Sequence, residues 1–208
     1  MAIAYDTSTE KGGTDSWSHT CSGDDRFLVL WVLAIPASTV SDVTYDGVSM
    51  TESAYITFAG GYKFYAFTLI NPASGSNTAS VTGANTAFLV SYNGVSQTGQ
   101  PEVVETKYDT GVTSISNTIT TTSNNSWSLA GFTKNGGASA SFTDVTQRIG
   151  SATGLLLVGD NNADITPAGD LTQDASTGSS LNWEMIQLAI APVSEPDESN
   201  AIFFGANF

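Results

Sequence analysis

The sequence contains very little of what most enzymes and metal proteins use for chemistry. Cys21 is the only cysteine and His19 the only histidine among 208 residues. A single cysteine excludes an intrachain disulfide and a thiolate cluster, and a tetrahedral zinc site needs more Cys and His ligands than the chain contains. His19 and Cys21 alternate on one predicted strand. No nucleophile motif lies beside them, so we interpret them as a buried structural pair and not as a catalytic dyad.

Charged residues are also scarce, at 12 % of the chain against a usual value of ~25 %. The net charge is −14, from 20 acidic and 6 basic residues, and the basic residues are scattered along the sequence. No basic stripe is present to neutralise phosphates, so the sequence predicts no nucleic-acid partner. The acidic surface also disfavours anionic membranes.

Long apolar segments and targeting features are missing as well. No apolar run approaches the ~18 residues of a transmembrane helix. Residues 1–6 lack the basic and apolar regions of a signal peptide. We therefore predict no membrane partner and a chain that is made in a cytoplasm and not exported by an obvious route.

The abundant residues are those of strands and turns. Ser, Thr, Asn and Gly take the place of charged residues, and no long stretch has the 3.6-residue periodicity of a helix. Short apolar or alternating runs are separated by turn residues, which is typical of a sandwich or jelly roll. We predict an all-β, antiparallel β-sandwich of jelly-roll type, with one domain over residues 1–192. Strands are predicted at residues 2–5, 17–21, 27–35, 43–45, 49–51, 54–58, 62–69, 78–81, 87–92, 104–108, 112–121, 126–133, 142–149, 155–159 and 181–191.

Two kinds of segment indicate where the core lies. Residues 27–33 are continuously apolar, which predicts a central strand buried on both faces. Trp17, Trp127 and Trp183 fall within predicted strands, and we interpret them as core anchors because a sandwich needs large side chains between its sheets.

A seven-residue sequence occurs twice in nearly the same form. Residues 45–51 are Tyr-Asp-Gly-Val-Ser-Met-Thr, and residues 92–98 are Tyr-Asn-Gly-Val-Ser-Gln-Thr. Asp-Gly and Asn-Gly between apolar runs are the strongest short-range hairpin signals, because a tight turn needs positive φ at both central residues. Two copies are too few for a propeller or solenoid, and their flanks differ. We predict two similar hairpins within one domain.

One loop has part of a calcium-binding pattern. Its oxygen-bearing residues at positions one, three and five are Asp160, Asn162 and Asp164. The pattern then fails, because position six is Ile165 where glycine is needed and position twelve is Leu171 where a bidentate glutamate is needed. Asp170 or Asp174 would have to complete an irregular site. We favour a polar turn and predict no cofactor, with calcium at this loop as the alternative.

Neither catalysis nor sugar binding has a clear signature. Twenty acidic residues are enough to supply a pair of catalytic carboxylates, but no two of them stand out, so we do not predict an enzyme. Tyr55, Phe58, Tyr62 and Phe64 could line a sugar-binding face, although their dense spacing predicts sandwich core first.

The residue composition changes after Pro192. Residues 193–200 form an acidic linker that contains Pro196, and residues 201–208 are apolar. The large apolar side chains of this tail are Ile202, Phe203, Phe204 and Phe208. A segment this hydrophobic is not expected to stay in water, so it either packs on its own domain or docks on a neighbour. The sequence leaves both arrangements open.

The order of strand and turn segments along the chain resembles that of a poorly characterised group of jelly-roll or β-sandwich modules in phage structural proteins and bacterial surface proteins. The resemblance lies in the turn residues and in the residue pattern of the strands. The segments that carry it are residues 17–19, 25–30, 40–51, 65–72, 88–98 and 183–192. It implies virion decoration, head-fibre or adhesin roles, and it provides no catalytic residues to assign. The tail after Pro192 falls outside the resemblance.

These observations lead to one principal expectation and one alternative. The principal expectation is a non-enzymatic virion structural protein, a phage capsid decoration or cement protein that binds and stabilises the capsid surface. Its partners would be the major capsid protein or other virion subunits, and a homotrimer is a candidate assembly because capsids offer three-fold sites. The alternative is a carbohydrate-binding β-sandwich module of a phage fibre or surface adhesin.

Overall fold

The computed structural model describes residues 2–136 and 139–194. In this part of the chain every strand pairing is antiparallel, and the only helical element is a single 3-10 turn at Ala59–Gly61. The prediction of an all-β, antiparallel chain is confirmed, and the arrangement is consistent with a β-sandwich. Within the same residues, no helix has both the length and the apolar character needed to span a membrane.

Fifteen strands are present in the described residues. In chain order they are β1 (Ala4–Glu10), β2 (Ser16–Cys21), β3 (Phe27–Ala34), β4 (Ser41–Tyr45), β5 (Val48–Ser49), β6 (Thr51–Thr57), β7 (Lys63–Ile70), β8 (Gly75–Thr82), β9 (Thr86–Asn93), β10 (Val103–Thr120), β11 (Trp127–Lys134), β12 (Ser141–Thr143), β13 (Thr146–Gly150), β14 (Leu156–Asp160) and β15 (Asp170–Ile190).

The strands form three sheets. Sheet I has the order β1-β9-β3-β7-β6, sheet II the order β2-β8-β4-β5, and sheet III the order β10-β15-β11-β14-β13. One face of sheet I packs on sheet II and the other on sheet III. All eight residues of β3 are buried, as predicted, because successive side chains point to opposite faces of a strand. Trp31 thus lies in the core shared with sheet III, and Leu30 in the core shared with sheet II.

The long strands β10 and β15 fold back over the outer face of sheet III. Their pairing is irregular between Asp109 and Ser114. Beyond that point Ile115 and Ala175 join an apolar cluster that contains Trp183 on the outer face of the sheet. The short strand β12 pairs with this part of β15. The first half of β15 was missed from the sequence, because its Thr, Ser and Asp residues show little apolar alternation.

Only the first of the two similar heptads forms a hairpin. Asp46 and Gly47 have φ values of 50° and 73° and connect β4 to β5, as predicted. Asn93, by contrast, is still part of β9 and pairs with β1. Gly94 also has positive φ, but there the backbone passes against the carbonyl oxygen of Ala2, where a Cβ atom would collide. The prediction of a second hairpin was wrong, because a glycine can be required by close backbone approach as well as by a turn.

The two halves of the chain repeat one pattern of strand pairing. In the first half Phe27 of β3 pairs with Tyr92 of β9, and in the second half Trp127 of β11 pairs with Ile190 of β15. The orders of sheets I and III therefore correspond strand for strand, with β1 matching β10 and β6 matching β13. The two heptads lie outside this correspondence, since both belong to the first half.

Local irregularities match between the halves as well. Strand β6 has a bulge at Ser53, and strand β13 has a bulge at Arg148. Asp25 and Asn125 both have positive φ, and each lies two residues before the first residue of a buried strand. A bulge is a specific backbone feature, so its recurrence at one position indicates two copies of a common unit.

The halves also bond to each other reciprocally. The amide of Ser96 donates to the carbonyl oxygen of Ala191, and the amide of Val193 donates to the carbonyl oxygen of Gly94, both at 2.9 Å. Two equivalent units that are related by an approximate two-fold axis make the same contact in both directions, as these two segments do. Sheets I and III consequently face each other across one shared core.

The shared core predicts a large effect of adding a single methyl group. A Cβ atom on Gly131 would overlap the ring of Trp31 and lie 2.7 Å from Cζ of Phe64. We expect Gly131→Ala to lower the free energy of unfolding by about 1–3 kcal/mol, because inserted carbon forces a packed core apart. Gly178→Ala is the matched control, since nothing lies within 4 Å of its added Cβ. Equal urea midpoints for the two variants would contradict this account.

Candidate functional site

The predicted calcium loop begins at a fully buried carboxylate. Asp160 ends β14, and its Oδ2 accepts a hydrogen bond from Nε of Arg148 at 2.7 Å, while its Oδ1 accepts one from Nη2 of Arg148 at 2.9 Å. The hydroxyl of Tyr92 donates to Oδ2 at 3.0 Å, and the amide of Asn162 donates to Oδ1 at 3.0 Å. This bidentate pair with two further donors is the geometry in which a buried ion pair is best satisfied.

Arg148 joins two sheets through this carboxylate. Its guanidinium carbon lies 4.3 Å from the ring centroid of Tyr5, a cation–π contact, and its Nη2 donates to Oδ1 of Asn162 at 2.5 Å. We call Tyr5, Tyr92, Arg148, Asp160 and Asn162 the Arg148 cluster. Burial and the adjacent Asp160 carboxylate raise the pKa of the Tyr92 hydroxyl, so it remains a donor. The cluster connects β1 and β9 of sheet I with β13 and β14 of sheet III.

The guanidinium of Arg148 takes the position that a cation would need at this loop. Asp164, the third predicted ligand, accepts a hydrogen bond from Nε1 of Trp127 at 3.0 Å. The two further acids considered, Asp170 and Asp174, lie on β15. Across the described ranges, no group of three or more His, Cys, Asp or Glu side chains is placed to hold a metal ion. Calcium at this loop stays a prediction, and its binding through Asp160 would require displacement of Arg148.

The equivalent position of the first half is different. The bulge residue Ser53 of β6 corresponds to Arg148, and Thr68 of β7 corresponds to Asp160, because Thr68 pairs with Thr51 as Asp160 pairs with Thr146. The hydroxyls of Ser53 and Thr68 bond at 2.8 Å.

These small side chains leave a groove of about 440 Å³ between strands β6 and β10. We call it the seam groove. Its apolar walls are Leu69, Ile70, Pro101 and Val104, and its polar walls include Thr51, Glu52 and Gln100.

His19 and Cys21 are buried on β2, as predicted. Burial lowers the pKa of His19 to about 4, against the opposing charge of Asp6, and burial raises the pKa of the Cys21 thiol. The Nδ1 atom of His19 lies 2.8 Å from the hydroxyl of Thr9. A thiol held protonated beside a neutral imidazole is unsuited to nucleophilic chemistry, which requires the thiolate.

His19 predicts a loss of stability in mild acid. Its folded pKa of about 4 lies below the unfolded value of 6.5, so the unfolded chain binds more protons between these values. The free energy of unfolding should therefore fall by up to about 3 kcal/mol as the pH drops from 6.5 to 4. Urea denaturation at pH 7 and pH 4 measures this, and His19→Gln should show a smaller loss. An equal loss in both proteins would exclude His19 as the cause.

The four aromatic residues considered for sugar binding divide between core and surface. Phe58 and Phe64 lie in the core between sheets I and III, whereas Tyr55 and Tyr62 are 56 % and 39 % exposed. Tyr62 stacks on Phe58 with centroids 5.6 Å apart, and Tyr55 stacks on Tyr65 at 5.7 Å. Tyr62 and Phe58 also line a cavity of about 270 Å³. The prediction that these aromatic residues lie in the core is therefore correct for Phe58 and Phe64, whereas Tyr55 and Tyr62 are exposed.

One buried acid was missed from the sequence. Glu184 of β15 is fully buried between Tyr108 of β10 and Thr133 of β11, and no described atom bonds to either carboxyl oxygen. Burial raises its pKa to about 8. The sequence pattern could have predicted this burial. Glu184, Ile186 and Leu188 are two residues apart on one strand, so all three side chains point to the same, core-facing side.

The first and last described residues, Ala2 and Ser194, lie at the same end of the molecule. Ala2, Asp164, Pro192 and Ser194 line the same groove of about 540 Å³. We call this end of the molecule the exit end. The predicted docking residues Ile202, Phe203, Phe204 and Phe208 lie outside the described residues.

Comparison with protein-family models, curated proteins and solved structures gives no match for this chain. The resemblance to phage and surface modules thus stays an expectation, and function has to be argued from geometry.

Proposed function

We propose that this chain is a non-enzymatic virion structural protein, a decoration or cement protein on the capsid of a tailed phage. The observation that carries the proposal is the position of the exit end. Ala2 and Ser194 line one groove, so the rest of the acidic linker and the apolar residues 201–208 follow the described part of the chain at this end of the molecule. The strands of about eight residues extend roughly 26 Å from there to the far end, which is free to face solvent.

The strand orders support a jelly-roll type. In the first half, the chain crosses between sheets I and II at every connection except the β4–β5 and β6–β7 hairpins, giving β1-β9-β3-β7 opposite β2-β8-β4-β5. The second half has the same connectivity if the two parts of β10 and of β15 are counted separately, with β12 on the folded-back side. We propose two jelly rolls that share sheets I and III as their common interface. Jelly rolls recur in viral capsid proteins, which is an argument by analogy of fold.

Burial of the tail supplies the mechanism of attachment. Each large apolar side chain contributes roughly 1.5–3 kcal/mol when it is fully buried, so Ile202, Phe203, Phe204 and Phe208 together would hold the protein firmly to a neighbouring subunit. The neighbours are other virion subunits, the major capsid protein first among them, and a homotrimer suits a three-fold site. The protein would be made in the host cytoplasm and function in the virion.

Purified particles test this proposal. The chain should be found by mass spectrometry in virions of the phage that encodes it, in fixed ratio to the major capsid protein. Particles stripped of the chain should lose heat resistance and regain it when the wild-type protein is added. Protein with Phe203→Ser and Phe204→Ser should fail to restore it, whereas Tyr108→Ser, a change at an exposed strand residue, should restore it. Absence of the chain from virions would overturn the proposal.

The second candidate, a carbohydrate-binding module of a fibre or adhesin, is favoured by the two stacked and exposed tyrosines. Sugar rings bind against exposed aromatic faces whose orientation is fixed, and Tyr62 and Tyr55 are each held by a second ring. A glycan array with and without chelator tests this, with Tyr62→Ala and Tyr55→Ala as variants. Binding that depends on either tyrosine would support the module, and binding lost in chelator would implicate calcium.

A further inference from the structure

The approximate two-fold relation creates two seams between sheets I and III, and described side chains fill only one of them. At the seam between β1 and β13, Arg148 and Asp160 fill the space below Tyr5. At the seam between β6 and β10, the corresponding residues Ser53 and Thr68 are small, and the seam groove of about 440 Å³ remains. This groove has room for side chains that the described part of the chain does not supply.

The shape of the seam groove suits an extended apolar segment. Strands β6 and β10 are the terminal strands of sheets I and III, and within residues 2–136 and 139–194 no other strand pairs with their outer edges. Unpaired edges accept an added extended segment through backbone hydrogen bonds, and adjacent pockets hold its side chains. The wall residues Leu69, Ile70 and Val104 are only partly buried, so apolar side chains that cover them would remove further apolar surface from water.

The chain leaves its described part beside this groove. The amide of Ala191 donates to Oε1 of Gln100, a wall residue of the groove, at 2.9 Å. The amide of Glu102 donates to the carbonyl oxygen of Ala189 at 2.9 Å, so the end of β15 lies against the start of β10. Because Ser194 follows Ala191 by three residues, its Cα atom lies no more than about 15 Å from Oε1 of Gln100.

The linker is long enough to bring the tail back to this groove. Residues 195–200 span at most about 20–22 Å when fully extended, which exceeds the distance from Ser194 to Gln100. A segment on a short flexible linker meets a site on its own chain at an effective concentration in the millimolar range. At micromolar protein concentration, the groove of a second copy is available at roughly a thousandth of that concentration. The length of the linker and its point of departure therefore favour the groove of the same chain.

We propose that residues 201–208 bind in the seam groove of their own chain while the protein is free in solution. The apolar character that the walls require is present in the four large side chains of the tail, Ile202, Phe203, Phe204 and Phe208. This binding precedes and goes beyond the proposed function, in which the same side chains are buried against a neighbouring subunit after attachment. A tail held in the groove keeps its phenylalanines out of water until that subunit is met.

Disulfide cross-linking of the full-length protein tests the proposal. The variant Thr51→Cys, Ala206→Cys places one thiol at the groove and one in the tail, and it keeps all four large apolar side chains. Oxidation with copper phenanthroline at micromolar protein should give a disulfide within one chain, identified by intact mass and by the linked peptide. Cys21 is buried and does not compete. Thr57→Cys, Ala206→Cys is the matched control, since Thr57 is exposed on the same strand outside the groove, and it should cross-link at least tenfold more slowly.

Unfolding by urea provides a second measurement. Thr51→Glu places a charge at the groove, and Phe203→Ser with Phe204→Ser removes the apolar character of the tail. Each change should lower the urea midpoint. The combined variant should be no less stable than the less stable of the two, because either change already prevents the contact. Thr57→Glu should leave the midpoint unchanged.

Three outcomes would overturn the proposal. Equal cross-linking rates with Thr51→Cys and Thr57→Cys would show that the tail does not lie in the groove. Disulfide-linked dimers as the main product would make a second copy the occupant. Additive effects of Thr51→Glu and the tail substitutions on the urea midpoint would show that groove and tail act separately.

Heat protection of stripped virions distinguishes this proposal from the proposed function. The oxidised Thr51→Cys, Ala206→Cys protein should fail to restore heat resistance until a reductant frees the tail. Protection by the oxidised protein would support binding of the tail in the groove and would remove the tail from the mechanism of attachment. Loss of protection with Phe203→Ser and Phe204→Ser, without preferential cross-linking of Thr51→Cys, would keep the proposed function and reject the groove as the site of the free tail.

Discussion

Asp160→Asn should lower the free energy of unfolding by about 3–5 kcal/mol. The substitution keeps the shape of the side chain but removes the charge that balances the Arg148 guanidinium, whose side chain is only 14 % exposed. Breaking a buried pair leaves an uncompensated charge in a medium that solvates it poorly, and that cost exceeds the value of the lost hydrogen bonds. Chemical denaturation monitored by tryptophan fluorescence gives the free energy directly, since Trp127 lies against Tyr92 of the cluster.

A second ion pair provides the matched control. Lys11 and Asp15 lie 3.2 Å apart, with the Asp15 side chain 60 % exposed, so Asp15→Asn should change stability by less than about 1 kcal/mol. The double variant Arg148→Met, Asp160→Leu should recover part of the stability lost in Asp160→Asn, because it leaves no uncompensated charge, although the Tyr92 hydroxyl and the Asn162 amide lose their acceptor. If Asp160→Asn costs no more than Asp15→Asn, the Arg148 cluster does not hold the sheets together.

Glu184→Gln should stabilise the protein increasingly as the pH rises from 4.5 to 8. The folded pKa of about 8 lies above the unfolded value of 4.5, so the folded state binds more protons in this range and stability falls with rising pH. The full loss approaches about 4–5 kcal/mol above pH 8 and vanishes below pH 4.5. Glutamine cannot ionise, so the variant and wild type should unfold alike at pH 4 and differ most at pH 9.

The measurement is a set of urea titrations at pH 4, 6 and 9. Glu105→Gln is the matched control, because Glu105 is exposed on the neighbouring strand β10 and should give changes within about 0.5 kcal/mol. His19 acts in the opposite direction between pH 6.5 and 4.5, so differences between variants at one pH are more informative than the wild-type curve. A pH-independent effect of Glu184→Gln would show that ionisation of this carboxyl is not coupled to folding.

The sequence predicted the strands wherever burial follows a simple pattern. The apolar run of residues 27–33 is β3, and the aromatic run that follows Gly61 is β7, because one or both faces of each strand are buried. Trp127 and Trp183 are core residues as predicted, and Trp17 is half-buried against the core of sheets I and II. The polar first half of β15 was missed, because its pairing with β10 is what makes it a strand.

The Arg148 cluster could not be predicted, because Tyr5 and Tyr92 lie far along the chain from Arg148 and Asp160. Asp160 and Asn162 were chosen for a calcium pattern, yet nothing in their spacing points to Arg148 or Tyr5. The relation between the halves was equally hidden. Phe27 corresponds to Trp127 and Ser53 to Arg148 through strand pairing and bulges, while the residues themselves differ.

The reciprocal bonds between residues 94–96 and 191–193 have an evolutionary consequence. A half-length ancestor that paired with itself would have formed this same interface twice, with two identical seams. In a single chain the two equivalent contacts between sheets I and III need not be identical, as they must be in a homodimer. Between β1 and β13 the contact is closed by the ion pair of Arg148 and Asp160, whereas between β6 and β10 the small side chains of Ser53 and Thr68 leave a groove. The asymmetry between Arg148 and Ser53 therefore divides two equivalent positions into one that holds the sheets together and one that stays open.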